Sequence, residues 1–331
     1  MSRERGEAAG SWQAALEDLA EQAGPSGARA RPLAPYTSFH IGGPADLLVE
    51  PDTPDLLQSL LRAAAAAGVP CTVMGGGTNL LVSDDGVPGI VVRIARPLGR
   101  IAFHGALVRV EAGASLPGLA GRCARLGLSG LEFAGGIPGT VGGAVVMNAG
   151  AHESNIGQTL RWVDAFSLAG EPRRFDVTEL GLGYRRSRFQ HEPWVVAGAM
   201  LELQPDDPEA IRTRMQAYVE RRRRTQPLGT HNAGSIFKNP PGEYAGRLLE
   251  AVGAKGWEEG QAQVSTLHAN FIVNRGGARA ADVLRLIERM RDAVEERFGV
   301  RLELEVRLVG WPAPEGVSSG VGLPDRGRTP S

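Results

Sequence analysis

Three glycine-rich stretches, with the polar residues set in them, are the parts of this chain whose types and spacing can do chemistry. The first is Met74-Gly75-Gly76-Gly77-Thr78-Asn79-Leu80-Leu81. Consecutive glycines let backbone N–H groups approach a phosphate with no Cβ in the way, and Thr78 and Asn79 can add side-chain hydrogen bonds. The pattern is neither GxGxxG nor GxxxxGK[ST], which sets aside the usual dinucleotide and ATP loops. A plain tight turn is the bland alternative. The second stretch runs Gly135-Gly136-Ile137-Pro138-Gly139-Thr140-Val141-Gly142-Gly143-Ala144 and continues to Asn148-Ala149-Gly150-Ala151. So many small, uncharged residues make poor core and poor surface, yet suit a backbone laid against a flat, extended ligand. Glycine-rich turns between strands are the competing reading. The third is Asn232-Ala233-Gly234-Ser235-Ile236-Phe237-Lys238-Asn239-Pro240. A lone serine is usually a turn residue or a cap. Ser235 has no GxSxG elbow and no neighbouring His–Asp pair, so its hydroxyl suits proton donation better than attack.

Elements on either side must position these loops. Asp46–Glu50 reads as a strand, and Thr53-Pro54-Asp55 starts a helix that runs to about Ala67 and stops at Gly68. Cys71–Met74 is a short apolar strand leading into the first glycine loop, and Ile90–Ile94 is another. Leu107–Glu111 (strand) and Leu116–Leu126 (helix) precede the second loop, and residues 161–202 read as strands broken by turns. Asp207-Pro208 caps a charged helix reaching Arg224, and Gln226-Pro227-Leu228-Gly229 breaks the chain before the third loop. From about Ala280 to Phe298, Val283, Ile287, Met290, Val294 and Phe298 recur at helical spacing and predict a buried stripe.

Length and composition bound the class. The 331 residues suggest two or three packed units, and 42% hydrophobic content fills real cores. A net charge of −1 gives no global field to draw in nucleic acid or an anionic membrane. Only two cysteines occur, Cys71 and Cys123, in no CxxC pair, which excludes a disulfide scaffold and fits a reducing compartment. The histidines form no HExxH or comparable pattern, so no metal site is expected. No secretory signal or spanning apolar run is visible, and the expected location is the cytoplasm. Of 36 basic Lys and Arg residues only Lys238 and Lys255 are lysines, which a genome-wide arginine bias explains for the most part.

The ordered motifs resemble those of the UDP-N-acetylenolpyruvoylglucosamine reductase family. They are Tyr36-Thr37-Ser38-Phe39-His40-Ile41-Gly42-Gly43, the GGGTNLLV loop, GIPGTVGGAVVMNAGA, Gly183-Tyr184-Arg185-Arg186-Ser187, NAGSIFKNP, and Leu304-Glu305-Val306-Arg307 before Gly310. The resemblance covers about residues 30 to 310 with every motif in the family's order. It implies an α+β / α/β architecture like that of the vanillyl-alcohol-oxidase (PCMH-type) flavoproteins. In it, residues 31–95 and 96–205 are two FAD-binding subdomains and 206–310 is a substrate domain. Residues 1–30, with one short helical candidate from Trp12 to Gln22, are expected to be a flexible tail, and 311–331 a disordered one.

The implied activity is reduction of UDP-N-acetylglucosamine enolpyruvate to UDP-N-acetylmuramate for peptidoglycan, with noncovalent FAD and with NADPH as hydride donor, by a monomer. Hydride passes from NADPH to the flavin N5 and on to the enolpyruvyl methylene carbon. The family's catalytic set falls on Arg185, Ser235 and Glu305. Arg185 and Glu305 stabilise the enolate-like charge, Glu305 as a donor with a raised pKa, and Ser235 supplies the proton. Cofactor contacts fall on Gly75, Gly76, Gly77, Thr78, Asn79, Leu80, Ile137, Pro138, Gly139, Thr140, Gly142, Gly143, Asn148, Gly150 and Ala151. Substrate contacts fall on Tyr184, Lys238 and Asn239, and on Arg223 from the run Arg221–Arg224, the other three being read as a solvated face. The 50 residues from Arg185 to Ser235 are too few for the inserted tyrosine loop of one family group, so the chain resembles the shorter group. It departs from the pattern at Tyr36, where Asn is usual, and at His152-Glu153, where an aromatic is common. The competing readings are an FAD oxidase of the same fold and a nucleotide-binding module without chemistry.

Overall fold

The computed structural model describes residues 2–311, so the expected disordered tail lies, from residue 312 onward, outside the described residues. The chain forms two compact units. The first takes the residues up to Arg31, Ala45–Gly77 and Pro88–Thr225, and the second takes Pro32–Pro44, Thr78–Val87 and the residues from Gln226 on.

The first unit contains a four-stranded sheet in the order Gly27–Pro32, Pro44–Val49, Val87–Arg93, Cys71–Met74, and a five-stranded one in the order Pro172–Asp176, Leu160–Ser167, Trp194–Glu202, Leu107–Glu111, Ile101–His104. Cys71–Met74 runs parallel to Val87–Arg93, which needs a crossover, whereas the five-stranded sheet is antiparallel throughout. Helix α1 (Ser2–Ala23) buries Leu16, Leu19 and Ala23, spaced for one helical face, and packs on α2 (Pro54–Ala66). The N-terminal segment expected to be a flexible tail is therefore a packed helix followed by an edge strand. Leu16, Leu19 and Ala23 gave too short a stripe to outweigh the Gly/Ala/Pro/Ser run after it. Thr53 caps α2, its Oγ1 accepting from Leu56 N at 3.2 Å, with Pro54 at the first helical position. Helices α3 (Leu116–Arg125), α4 (Val141–Met147) and α5 (Pro208–Thr225) complete this unit. Sheets and helices share one core.

Helix α5 belongs to the first unit although its charged sequence suggested the start of the C-terminal domain. Its Arg214 guanidinium donates to Glu132 Oε1 at 2.7 Å and to Asp206 Oδ2 at 2.6 Å. Burial pushes the Glu132 carboxyl up, but hydrogen bonds from Arg214, the Gly130 N–H and the Ser129 hydroxyl outweigh it and hold the group below its ordinary value. The break comes one residue after α5, at the Gln226-Pro227-Leu228-Gly229 punctuation.

The second unit has a core of Phe39, Ile41, Leu81, Ile236, Phe237, Leu286, Ile287, Met290 and Val306 among others, drawn from three separate stretches of chain. Its short helix α6 (Ala245–Ala251) and long helix α7 (Ala280–Phe298) accompany a three-stranded sheet, Glu258–Glu259, Ala262–Val264 and Ile272–Asn274. Asp84 caps α7: its carboxylate accepts from Ala280 N at 2.8 Å and Ala281 N at 3.1 Å. Of the predicted stripe, Val283, Ile287, Met290 and Val294 are buried, while Phe298 in the last turn is exposed, where Gly299 ends the helix at φ 66°. Leu80–Val82 pairs in parallel with Arg307–Val309. No described helix is long and apolar enough to cross a membrane.

Candidate active site

In the first unit the two glycine loops meet backbone to backbone. A Cβ on Gly76 would stand 3.0 Å from Gly139 Cα, and one on Gly75 would stand 2.4 Å from Thr140 Oγ1. Gly77 turns the chain at φ 66°. Thr140 caps α4, its Oγ1 accepting from Gly143 N at 3.4 Å, and Gly142 N donates to Ala112 O at 2.8 Å. A Cβ on Gly142 would press on Ala112, 2.9 Å away, whereas at Gly143 the nearest atom would be 3.6 Å off and the residue is exposed. Ile137 is half-buried and Pro138 exposed between these points. Gly150 also answers a local need: it pairs across a tight hairpin with Asn155, and a Cβ would meet Ser154 O at 2.3 Å, with Ala151 the next residue in the hairpin.

Asn148 has its amide committed within the protein. It ends α4 in the left-handed conformation, donates Nδ2 to Gly183 O at 2.8 Å and accepts from Gly157 N at 3.1 Å. Gly183 and Arg186 exchange both backbone hydrogen bonds across a tight turn that puts Tyr184 and Arg185 at its tip, with Arg185 at φ 52°. A non-glycine residue in that region is strained and persists only where neighbours fix it. Here they do: Ser187 Oγ donates to Val146 O at 2.6 Å, and Gln190 Nε2 donates to both Val146 O and Arg185 O at 2.9 Å. The Arg185 guanidinium lies 5.4 Å from the ring centre of the exposed Tyr184.

In the second unit, the Ser235 segment pairs antiparallel with the Glu305 segment. Phe237 opposes Leu304, Glu305 N donates to Ile236 O at 2.8 Å, and Lys238 N donates to Glu303 O at 2.8 Å. Both Ser235 and Glu305 are half-buried. Gly234 precedes the serine at φ 77°, in a turn closed by Asn232 Oδ1 accepting from Gly234 N at 2.9 Å. Asn270 locks the strand from the other side, accepting from Phe237 N and donating to Phe237 O. Asn79 joins this group: its Nδ2 donates to Glu305 O at 2.9 Å and its own carbonyl accepts from Arg307 N. Thr78 and Leu80 flank it, and Leu80 pairs with Arg307. Lys238 Nζ sits 3.4 Å from Glu303, and the exposed Asn239 accepts from Ala245 N at the start of α6.

The expected site residues therefore fall into two groups, one in each unit. Gly75–Gly77, the Ile137–Gly143 loop, Asn148, Gly150, Ala151, Tyr184, Arg185 and Arg223 lie in the first, and Thr78, Asn79, Leu80, Ser235, Lys238, Asn239 and Glu305 in the second. Arg223 is exposed, whereas Arg222 is the half-buried member of its run. The reading of Arg222 as part of a solvated face does not hold: with Met215 and Val219 it forms the face of α5 that meets Gly135 and Gly136. His152, at φ 54°, stacks on Tyr218 with ring centres 4.0 Å apart. Burial pushes the Cys123 thiol up to about 12, so it is no nucleophile. Among the described residues no group of three or more His, Cys, Asp or Glu side chains could hold a metal ion.

Similarity to known proteins shares the break at Gln226 but runs its first match through Thr78–Val87, which lies in the second unit. Residues 45–176 match the family described as FAD binding domain, and residues 226–309 match UDP-N-acetylenolpyruvoylglucosamine reductase, C-terminal domain. A Symbiobacterium thermophilum protein named UDP-N-acetylenolpyruvoylglucosamine reductase 2 is 50% identical over 282 residues, 85% of this chain and 92% of that protein. The reductase of that name from Rubrobacter xylanophilus is 49% identical over 282 residues, 85% of this chain and 94% of its own. The crystal structure of UDP-N-acetylenolpyruvylglucosamine reductase from Thermus caldophilus matches with a TM-score of 0.74 at 42% identity, covering 84% of this chain and 97% of that one. The residues present fit FAD: Gly75 and Gly76 let the two glycine loops pack together, and beside them the exposed Gly143 and Pro138 leave backbone uncovered by long side chains. The chain belongs to the UDP-N-acetylenolpyruvoylglucosamine reductase family.

Proposed function

We propose that this chain is an FAD-dependent reductase that consumes NADPH and converts UDP-N-acetylglucosamine enolpyruvate to UDP-N-acetylmuramate, a peptidoglycan precursor. The observation that carries the reading is the antiparallel pairing of the Ser235 and Glu305 segments, which makes the two expected catalytic residues near neighbours along paired backbone. When bound, FAD supplies the hydride carrier between NADPH and the substrate's double bond.

The protein's own residues do the rest. Gly75, Gly76, Gly77, Gly139, Thr140, Gly142 and Gly143 border the cofactor, the glycines with no side chain in its way, while the Gly142 and Gly143 N–H groups are spent on Ala112 O and Thr140 Oγ1. Thr78, Leu80, Ile137, Pro138 and Ala151 border it. Asn79 and Asn148 act as positioning residues, the one holding Glu305 and the other the Arg185 turn. Arg185, and Glu305 as a hydrogen-bond donor, steady the negative charge that gathers on the substrate's α-carbon and carboxylate as hydride adds to the neighbouring methylene. Ser235 Oγ–H gives its proton to that α-carbon and regains one from solvent. Tyr184, Lys238 and Asn239 contact the nucleotide-sugar. Two free thiols, Cys71 and Cys123, suit a reducing compartment, and we place the enzyme in the cytoplasm.

The test is steady-state turnover with product analysis. NADPH consumption is expected only with the enolpyruvyl substrate, one equivalent per UDP-N-acetylmuramate formed. Consumption that is equally fast with UDP-N-acetylglucosamine, or that yields peroxide in place of product, contradicts the proposal.

A further inference from the structure

The second glycine loop leads into α4 through Thr140 and Gly142, and the far end of the same short helix holds the Arg185 turn. The last carbonyls of a helix have no partner within it. One of them, Val146 O, accepts from Ser187 Oγ at 2.6 Å and from Gln190 Nε2 at 2.9 Å. Gln190 Nε2 also donates to Arg185 O at 2.9 Å, with Met147 Sδ 3.7 Å away. An amide NH2 has two hydrogens, so the two carbonyls engage both. Capping of α4 accounts for the bond to Val146 O. It does not account for the bond to Arg185 O, which joins the helix end to the peptide of the expected catalytic arginine. Gln190 is half-buried and follows the buried Phe189, so its amide is held in place by packing as well.

Arg185 is the second central residue of its turn, at φ 52°, a position where positive φ favours glycine or asparagine. Asn148 and Ser187 fix the turn on either side, at Gly183 O and Val146 O, whereas Gln190 bonds the backbone of Arg185 itself. Resting on the function proposed above, we infer that Gln190 is a positioning residue. Its amide holds Arg185 in the left-handed conformation and ties it to α4, so that one helix carries both the flavin-side glycine loop and the guanidinium. Without the amide, residue 185 relaxes to negative φ, which redirects its Cβ and moves the guanidinium. Charge stabilisation depends on a donor already in place, and a displacement of about 1 Å costs on the order of 10²-fold in rate.

The experiment compares the flavin-loaded parent, Gln190→Leu, Arg185→Ala and the double variant under nitrogen. Rapid mixing times two steps separately: flavin reduction by NADPH, and reoxidation of the reduced flavin by UDP-N-acetylglucosamine enolpyruvate. Gln190→Leu keeps the bulk of the side chain and removes its donors. It is expected to slow reoxidation on the order of 10- to 100-fold, with NADPH reduction and flavin content within about twofold of the parent. In the Arg185→Ala background the same change is expected to cost less than about twofold, because its effect runs through the guanidinium already removed. A crystal structure of Gln190→Leu is expected to show residue 185 outside the left-handed region. Should Gln190→Leu lose its flavin, Gln190→Glu decides: it has the same shape, but its carboxylate has no N–H to give the two carbonyls, and reoxidation is expected to slow at least as much. Reoxidation as fast as the parent's, equal losses in the two backgrounds, or an unmoved residue 185 overturns the inference. A parent whose reduced flavin the substrate does not reoxidise defeats the reductase reading itself, whereas a parent-like variant beside a working parent defeats this assignment alone.

Discussion

Replacing Ser235 by alanine is expected to leave the protein folded, yellow and reducible by NADPH, while product formation falls on the order of 10²- to 10⁴-fold, the range a general acid supplies. The change removes one oxygen from a half-buried side chain between Gly234 and the buried Ile236 and Phe237. The local fold rests on backbone bonds to Asn270 and Glu305 and on the Asn232 turn, none of which uses Ser235 Oγ. Structure should therefore survive while proton delivery does not. Rapid mixing of the NADPH-reduced variant with substrate under nitrogen measures this step directly. A variant that reoxidises with substrate as fast as the parent removes Ser235 from the mechanism.

Gly76→Val is expected to abolish flavin retention. Even a single added carbon would sit 3.0 Å from Gly139 Cα, and a β-branched residue fills the remaining space between the two loops. Because the obstructing atom is backbone, relief requires one loop to move. Overpacking of this kind costs about 1–3 kcal/mol of stability, and the surface left for FAD is distorted as well. The ratio of visible to ultraviolet absorbance in the purified variant, with its melting temperature, separates the two effects. A variant that melts a few degrees low but carries a full complement of flavin would show that the Gly76–Gly139 approach is structural only. Gly150 makes the contrast, since its close contact is with its own hairpin.

Local signals in the sequence were strong where one short segment decides the outcome. The Thr53-Pro54 start of α2, the Cys71–Met74 strand and the Ala280–Phe298 helix follow from capping chemistry, an apolar run and helical periodicity. The expected catalytic residues came from the resemblance alone, and the structure adds that the Ser235 and Glu305 segments pair antiparallel. What stayed hidden was non-local. Nothing in Pro32–Pro44 or Thr78–Val87 announces that these stretches leave the first unit and contribute Phe39, Ile41 and Leu81 to the core of the second. Asn79 and Asn148 were expected to contact the cofactor, and no local signal showed that Asn79 Nδ2 would also donate to Glu305 O or that the Asn148 amide would bond Gly183 O and Gly157 N. The direction in which each of four consecutive arginines points depends on what α5 packs against. Helical spacing from Met215 carried that information only once the Gly135-Gly136 loop was known to be its partner.

The central claim, that this chain passes reducing equivalents from NADPH to an enolpyruvyl nucleotide-sugar through bound flavin, is tested most directly by the visible spectrum of the purified protein under nitrogen. The spectrum is recorded before and after one equivalent of NADPH, and again after UDP-N-acetylglucosamine enolpyruvate. The expected result is a flavin spectrum that bleaches with NADPH and returns in full on addition of the substrate. A bleached spectrum that only oxygen restores, or a protein that neither carries nor takes up flavin, contradicts it.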